Sequence, residues 1–234
     1  MTSKTKSTAK PDGSPAGIVL KGLAWLIGLC AAGGIALAMG VAFVWAVAFP
    51  NLPDVSQLAD YRPKLPLRVY TSDNVLMGEF GEERREFVPI EDVPLVLTRA
   101  VLAAEDANFF NHNGVDMKGI ARAVLANLGR AKSQGASTIS MQVARNVYLS
   151  AEKTYTRKIY EVLMTFKLEY QLSKAQILQI YMNQIYLGRR AYGFAAASRT
   201  YFDKPLDQLS IAEAAMLAGL PKAPSAYNPI RNPK

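Results

Sequence analysis

The chain has one cysteine and one histidine in 234 residues, and each scarcity removes possibilities. Cys30 alone leaves no intrachain disulfide to staple a fold; set in an apolar stretch, it reads as a small lipid-facing residue. With His112 the only histidine, Asp106, His112 and Asp116 are the nearest approach to a metal set, and their spacing matches no standard ligand motif. No Lys-Thr-Gly or Lys-Ser-Gly occurs, so the Ser-x-x-Lys matches at Ser7 to Lys10 and Ser150 to Lys153 lack the companions of a penicillin-type serine site. Aromatic residues are not interleaved with basic ones as a base-stacking platform requires, which argues against nucleic acid. No internal repeat is visible.

Charge is missing from Gly22 to Pro53. Within that stretch Leu23 to Phe49 forms a helix of about 40 Å if regular, enough to cross a hydrocarbon core of about 30 Å with tilt. The rival is a cleaved signal peptide, but its apolar region would run only about 7 to 15 residues, and no small-x-small site ends this one. Lys4, Lys6, Lys10 and Lys21 precede the span against Asp12 alone, which predicts a cytoplasmic N-terminus and a remainder on the outer side. Arg62, Lys64 and Arg68 follow the span and soften that asymmetry. Residues 1–16 are expected to be disordered. The expected division is a tail at 1–21, a transmembrane anchor at 22–49, a connector with a short β pedestal at 50–92, and one helical domain at 93–234.

Positive charge dominates elsewhere: Lys and Arg number 27 against 19 Asp and Glu, a net +8. The partners implied are anionic, such as nucleic acid, lipid head groups or phosphorylated substrates. From Lys118 to Lys174 ten basic residues meet only Glu152, Glu161 and Glu169. Arg145, Lys153, Arg157 and Lys158 are candidates to converge on a phosphate or pyrophosphate; the alternative is a solvated basic face toward anionic lipid.

Leu67 to Thr71 and Val75 to Phe80 alternate around Ser72-Asp73-Asn74 as a hairpin does. Beyond Pro94 the pattern is helical. A first helix, about Pro94 to Asp106 with Asp92 as cap, puts Val96, Leu97, Ala100, Val101 and Ala104 on one face. A second, capped by Asp116 and ending near Gly129, puts Met117, Ile120, Ala121, Val124, Leu125 and Leu128 inward. A third opens at Ser137 or Thr138 and gathers Thr138, Gln142, Arg145, Asn146 and Leu149. A fourth, Thr154 to Leu172, is apolar nearly all round and predicts a central buried helix. Ser173 with Gln176 and Ser210 with Glu213 read as capping boxes, and Tyr192 to Phe202 makes one more helix between them.

Glu105 and Asp106 end the first helix beside Phe109 and Phe110, where desolvation raises a carboxylate toward a useful base; solvated helix-end charges are the plainer reading. His112 with Gly114 reads as a loop whose shape the imidazole holds. Glu161, inside an apolar helix, must be paired or used, and Arg157 and Lys158 stand within one turn of it.

Five segments then fall in order: Glu105-Asp106-x-x-Phe109-x-x-His112-x-Gly114, Gly135-x-Ser137-Thr138-Ile139-x-x-Gln142, Arg157-Lys158-x-x-Glu161, Tyr181 to Gly188, and Ala212 to Leu217. This series resembles the peptidoglycan glycosyltransferases, the family 51 transglycosylases. Tyr61-Arg62-Pro63 and Gly78 to Arg84 are further similar to the start of class A penicillin-binding proteins of the 1A type. The resemblance implies a mainly α, lysozyme-like domain polymerising lipid II at the outer face of the membrane. Glu105 would be the base at the acceptor's 4-hydroxyl. Glu161 would assist at the donor, and Arg145, Lys153, Arg157 and Lys158 would hold the undecaprenyl pyrophosphate. Ser137, Thr138, Gln142 and Asn146 would line the donor pocket, with Asp106, Phe109, His112 and Gly114 shaping the site. No cofactor is required in principle; a role for a divalent cation stays open. The implied partners are lipid II, the growing glycan strand, membrane lipids and other cell-wall synthesis proteins. Met141-Gln142 replaces the family's paired glutamines, and with no transpeptidase segment before Lys234 the expectation is either the N-terminal portion of a bifunctional protein, which the 1A-like start favours, or a monofunctional enzyme. A lysozyme-like hydrolase and a non-catalytic membrane scaffold are the competing functions.

Overall fold

A computed structural model describes residues 15–56, 58, 66–127, 137–149 and 155–231. Outside the described residues lie the tail at 1–14, the helix end at Leu128 and Gly129, Gly135, the Ser150 to Lys153 tetrad with Lys153, and Tyr61 to Pro63. The chain divides into two units, Met1–Asn51 and Leu52–Lys234.

Among its described residues the first unit is one helix, α1 (Pro15–Ala48). Among the described residues one stretch, Gly17–Ala48, is long and apolar enough to cross a membrane. It begins earlier than the uncharged run suggests: Pro15 is compatible with a first turn, and Lys21 lies inside the helix. Its apolar side chains face outward all round, as a helix solvated by lipid requires.

Among its described residues the second unit is mainly helical with two small β elements. Its first part is a hairpin of β1 (Leu67–Tyr70) and β2 (Leu76–Phe80), with Leu67 opposite Phe80 and a bulge after Val69. Asn74 takes the left-handed conformation in the turn, which its short polar side chain tolerates. The other β element pairs β3 (Arg84–Arg85) with β4 (Ala191–Tyr192) in parallel.

The helices are α2 (Leu95–Glu105), α3 (Met117–Asn127), α4 (Ile139–Tyr148), α5 (Tyr155–Gln171), α6 (Lys174–Gln184), α7 (Phe194–Phe202) and α8 (Ile211–Gly219). Packing of α2 on α8 and of α4 between α5 and α6 forms the core. The central helix is thus α4, buried without interruption from Ile139 to Ala144. The apolar richness of α5 had pointed there instead, yet its first turns expose Ile159 and Tyr160. Composition reports how much a helix can bury; the surrounding elements decide which helix is enclosed.

Three further expectations need correction. Asp92 does not cap α2: it lies in a 3₁₀ turn (Ile90–Asp92), and Pro94 occupies the cap position with no side-chain bond. Only Leu97 and Val101 of the predicted α2 face are fully buried, and Met117, Ala121 and Leu125 of α3 face solvent. The connector is not merely a pedestal, because Leu52, Val55 and Leu58 are core residues. The Lys167 ammonium donates to the Leu52 carbonyl (2.9 Å), and the Tyr148 hydroxyl donates to that of Asp54 (3.1 Å).

Both capping boxes form as expected, and Asp116 accepts from the Gly119 amide (2.9 Å). α7 starts at Phe194, two residues late, because Ala191 and Tyr192 are spent in β4 and Gly193 turns the chain at φ +83°. A Cβ at Gly193 would sit 2.9 Å from the Asn183 carbonyl oxygen. Asn183 is buried and ties α6 to the incoming strand: its Oδ1 accepts from Val88 N (2.8 Å) and its Nδ2 donates to Val88 O (2.8 Å). Gln179 accepts from Ile90 N (2.9 Å), and Gln184 from the Arg85 guanidinium (2.8 Å).

Replacing Asn183 by Ala strands the Val88 amide and carbonyl, so unfolding free energy should drop by about 3 kcal/mol in a denaturant titration. Glu213 is held down to about 2 by the Lys204 ammonium and the Ser210 cap. A depressed carboxyl stabilises the fold above its ordinary value of 4.5 and loses that contribution as pH falls through about 2. Glu213→Gln should therefore lower the melting temperature at pH 7, with the gap to wild type closing across that acid window.

Candidate active site

Glu105 and Asp106 are adjacent in sequence and opposite in fate. Glu105 extends the buried line Leu97, Val101 by one more step of four on α2, which carries it to the seam with α4. Asp106 leaves the helix, with φ −159° and ψ 76°, and turns inward to 7% exposure.

Inside, Asp106 Oδ2 accepts from the Ile139 amide (3.0 Å) at the N-terminus of α4, where the helix dipole favours a negative charge. Both its oxygens lie within 3.1 Å of His112 Nε2. His112 Nδ1 accepts from the Gly114 amide (3.1 Å), so Nε2 carries the ring proton and donates to Asp106. The imidazole is thus hydrogen-bonded on both nitrogens, to Asp106 and to Gly114. Gly114 sits at φ +91°, and a Cβ there would meet Thr165 Cγ2 at 2.6 Å. Its carbonyl accepts from the Thr138 hydroxyl, which also caps α4 by accepting from Met141 N (3.2 Å). Asp116 takes part elsewhere, bonded to Asn108 and Gly119. Among the described residues no group of three or more His, Cys, Asp or Glu is arranged to hold a metal.

Phe109 is fully buried under this loop. The Lys174 ammonium lies 4.4 Å from its ring centroid and 2.7 Å from Glu169, which also receives the Ser140 hydroxyl. Sequence reasoning missed this Ser140, Glu169 and Lys174 network. Its signal was present, since Glu169 is a second acid on an apolar helix and Lys174 follows one break later.

Gln142 Nε2 donates to Glu105 Oε2 (2.7 Å), joining α4 to α2. Met141 is packed in the core, so the departure from paired glutamines falls on a packing position and leaves the contact to Glu105 intact. Burial pushes the Glu105 carboxyl above its ordinary value of 4.5, and Asp106 adds to that. The Gln142 hydrogen bond, Arg145 and Lys222 pull the other way. Lys222 was not anticipated. It closes a 3₁₀ turn (Leu220–Lys222) after α8, and a cation placed just past a Gly-Leu-Pro helix end was the available clue. A partly desolvated carboxylate with one oxygen held and cations beside it has the chemistry of a general base next to an anion site.

Glu161 is 1% exposed and accepts from Lys158 Nζ (2.7 Å). The pairing is with Lys158, three residues back, and its Oε2 is buried without a hydrogen-bond partner among the described residues. No hydrogen bond or ion pair among the described residues joins Glu161 to Glu105. Arg157 is half-buried, Ser137 half-buried and Asn146 exposed; Lys153 lies outside the described residues.

The family model described as transglycosylase matches residues 73–234. Penicillin-binding protein 1A of Neisseria flavescens is 56% identical over 195 residues, covering 83% of this chain and 24% of that one. The Neisseria cinerea protein of the same name is 54% identical over 210 residues, 89% of this chain and 26% of that one. A crystal structure of penicillin-binding protein 1A from Haemophilus influenzae, 30% identical, aligns with 73% of this chain and 16% of its own at a TM-score of 0.37. The chain thus spans about a quarter of the length of the curated relatives it matches. With that match enclosing Glu105, Gln142, Arg145 and Lys222 alike, the chain belongs to the transglycosylase family.

Proposed function

We propose that the chain is a membrane-anchored peptidoglycan glycosyltransferase that polymerises lipid II into glycan strands. The observation that carries this reading is Glu105: a carboxyl raised by burial and gripped on one oxygen by Gln142, with the charges of Arg145 and Lys222 favouring its ionised form. Glu105 removes the proton from the 4-hydroxyl of the acceptor N-acetylglucosamine as that oxygen attacks the anomeric carbon of the donor strand. The bond to the pyrophosphate oxygen breaks with inversion, and undecaprenyl pyrophosphate leaves with the electron pair.

Negative charge growing on the departing pyrophosphate needs cations already in place. Arg145 and Lys222 supply them beside Glu105, with Arg157, Lys158 and Lys153 as further candidates. Glu161 serves the donor side, and Ser137, Thr138, Gln142 and Asn146 line the sugar pocket. Asp106, Phe109, His112 and Gly114 hold the loop in shape. A lipid-linked substrate fits a chain whose α1 carries no charge after Lys21, and whose Phe110, Met117 and Leu125 are exposed near the site-bearing loop and on α3. The proposed topology puts residues 1–14 in the cytoplasm, α1 across the inner membrane and the domain on its outer side. There the growing strand, membrane lipids and other cell-wall synthesis proteins are its partners. A hydrolase of the lysozyme type has no need of the cations around Glu105.

Supplied with lipid II in detergent, the chain should make long glycan strands and Glu105→Gln almost none, as read on a gel; strands from both remove Glu105 from the chemistry. Because the base must be ionised, the rate should rise with pH through a midpoint above 4.5. Lys222→Ala takes away a charge that favours the ionised form, so it should move that midpoint higher as well as reduce turnover. An unmoved midpoint would return Lys222 to the solvated surface.

A further inference from the structure

Tyr186 and Tyr192 are bridged antiparallel across a tight hairpin, their ring centroids 5.0 Å apart. The turn between them runs from Gly188 to Ala191 and is closed by the Ala191 amide donating to the Gly188 carbonyl (2.8 Å). Its two central residues stand at φ +48° and +64°, the pattern of a type I′ turn, in which asparagine and glycine fit and a long side chain is strained. This chain has arginine at both. The second is accounted for: the Arg190 guanidinium donates to the carbonyls of Gly81 and Glu82, and its own carbonyl accepts from the Arg84 amide (2.8 Å). Arg189 is not. It is exposed and makes no hydrogen bond or ion pair among the described residues, so packing does not explain why a long cation occupies a left-handed position. Strain of that kind, held by a well-determined surrounding, points to a task.

The surrounding is fixed from two directions. Gly188 sits at φ +92°, where a Cβ would stand 2.7 Å from the Tyr201 hydroxyl and 3.0 Å from the Pro224 carbonyl oxygen, and that hydroxyl donates to the Leu187 carbonyl (2.8 Å). The buried Arg85 guanidinium, held by Glu83 and Gln184, lies 4.5 Å from the Tyr192 ring centroid. Tyr192 in turn packs on Tyr186, which at 38% exposure brings an aromatic ring to the surface beside the arginine turn. Pro224 is two residues past Lys222, so the hairpin tip borders the segment that carries a cation acting on Glu105. An exposed aromatic ring covers the C–H face of a sugar, and an arginine fork takes a carboxylate in paired hydrogen bonds. We propose that this tip is a binding site for a carboxylate-bearing glycan, with Tyr186 against a sugar ring and Arg189 on the carboxylate. Because the turn is rigid, the cation is presented with little ordering left to be done on binding.

The choice of glycan rests on the glycosyltransferase reading, since a peptidoglycan strand carries short peptides that end in carboxylates. The probes are a short soluble peptidoglycan oligomer with its peptides and the same oligomer with the peptides stripped by an amidase, each titrated calorimetrically into the full chain in detergent. Wild type should bind the peptide-bearing oligomer about tenfold more tightly than the stripped one, the worth of one charge-assisted contact. Arg189→Gly should abolish that preference and yet melt no lower than wild type, because glycine takes a positive φ freely. Arg189→Asn, also suited to the turn, should behave the same way, and Tyr186→Ala should weaken both oligomers alike. A wild type that binds neither oligomer or both equally, an Arg189→Gly that keeps the preference, or one that melts lower because the side chain is structural overturns the proposal. Polymer made from lipid II by a chain without the preference leaves the glycosyltransferase reading standing and removes the site. A preference that depends on Arg189 in a chain that makes no polymer keeps the site and removes that reading.

Discussion

The candidate site depends on the burial of the Asp106 carboxylate. That group is taken from water at the end of α2 and repaid by two donors, the Ile139 amide and His112 Nε2. Each bond fixes a different part of the site. The bond to Ile139 sets the start of α4 against the end of α2, which is what lets Gln142, one turn on, reach Glu105. The bond to His112 sets the loop, because the same ring accepts from Gly114, whose carbonyl in turn accepts from Thr138 at the cap of α4. A closed circuit results, running from the end of α2 through the loop to the start of α4 and back.

This circuit divides labour between two neighbouring acids. Asp106 is satisfied on both oxygens and belongs to the frame. Glu105 is left short: it stands at the negative end of α2, partly desolvated, with one strong donor and two cations near it. A carboxylate in that condition is a stronger base than either a solvated or a fully paired one, which suits it to accepting a proton. The Glu169 and Lys174 pair under Phe109 supports the same loop from below, linking α5 and α6 to it without touching Glu105.

Much of this was legible from local signals. Capping boxes at Ser173 and Ser210 and the hairpin around Asp73 follow from short-range patterns, and the structure bears out both directly; short-range patterns also singled out Glu105 and His112, whose ring accepts from the Gly114 amide. What was not legible depends on partners distant in sequence. Whether α4 or α5 is enclosed turns on what packs around them, so six consecutive buried residues in a helix of mixed polarity gave no periodic sign. Lys222 acts on Glu105 from more than a hundred residues away, and Leu52 and Val55 enter the core from a stretch whose prolines suggested only a connector. The exposed apolar face of α3 is the converse case, where a correct period marked a face that the domain leaves uncovered.

The central claim is that the acid pair is split into a structural member and a strained one. Thermal melting of Asp106→Ala and Glu105→Gln between pH 4 and 8 tests it most directly. A carboxyl raised by folding favours the native state only while protonated, so its ionisation costs stability as pH climbs. Glu105→Gln should therefore melt above wild type at neutral pH, with the difference closing toward pH 4, while Asp106→Ala melts well below wild type throughout. Destabilisation of the same sign from both substitutions at neutral pH would contradict the account.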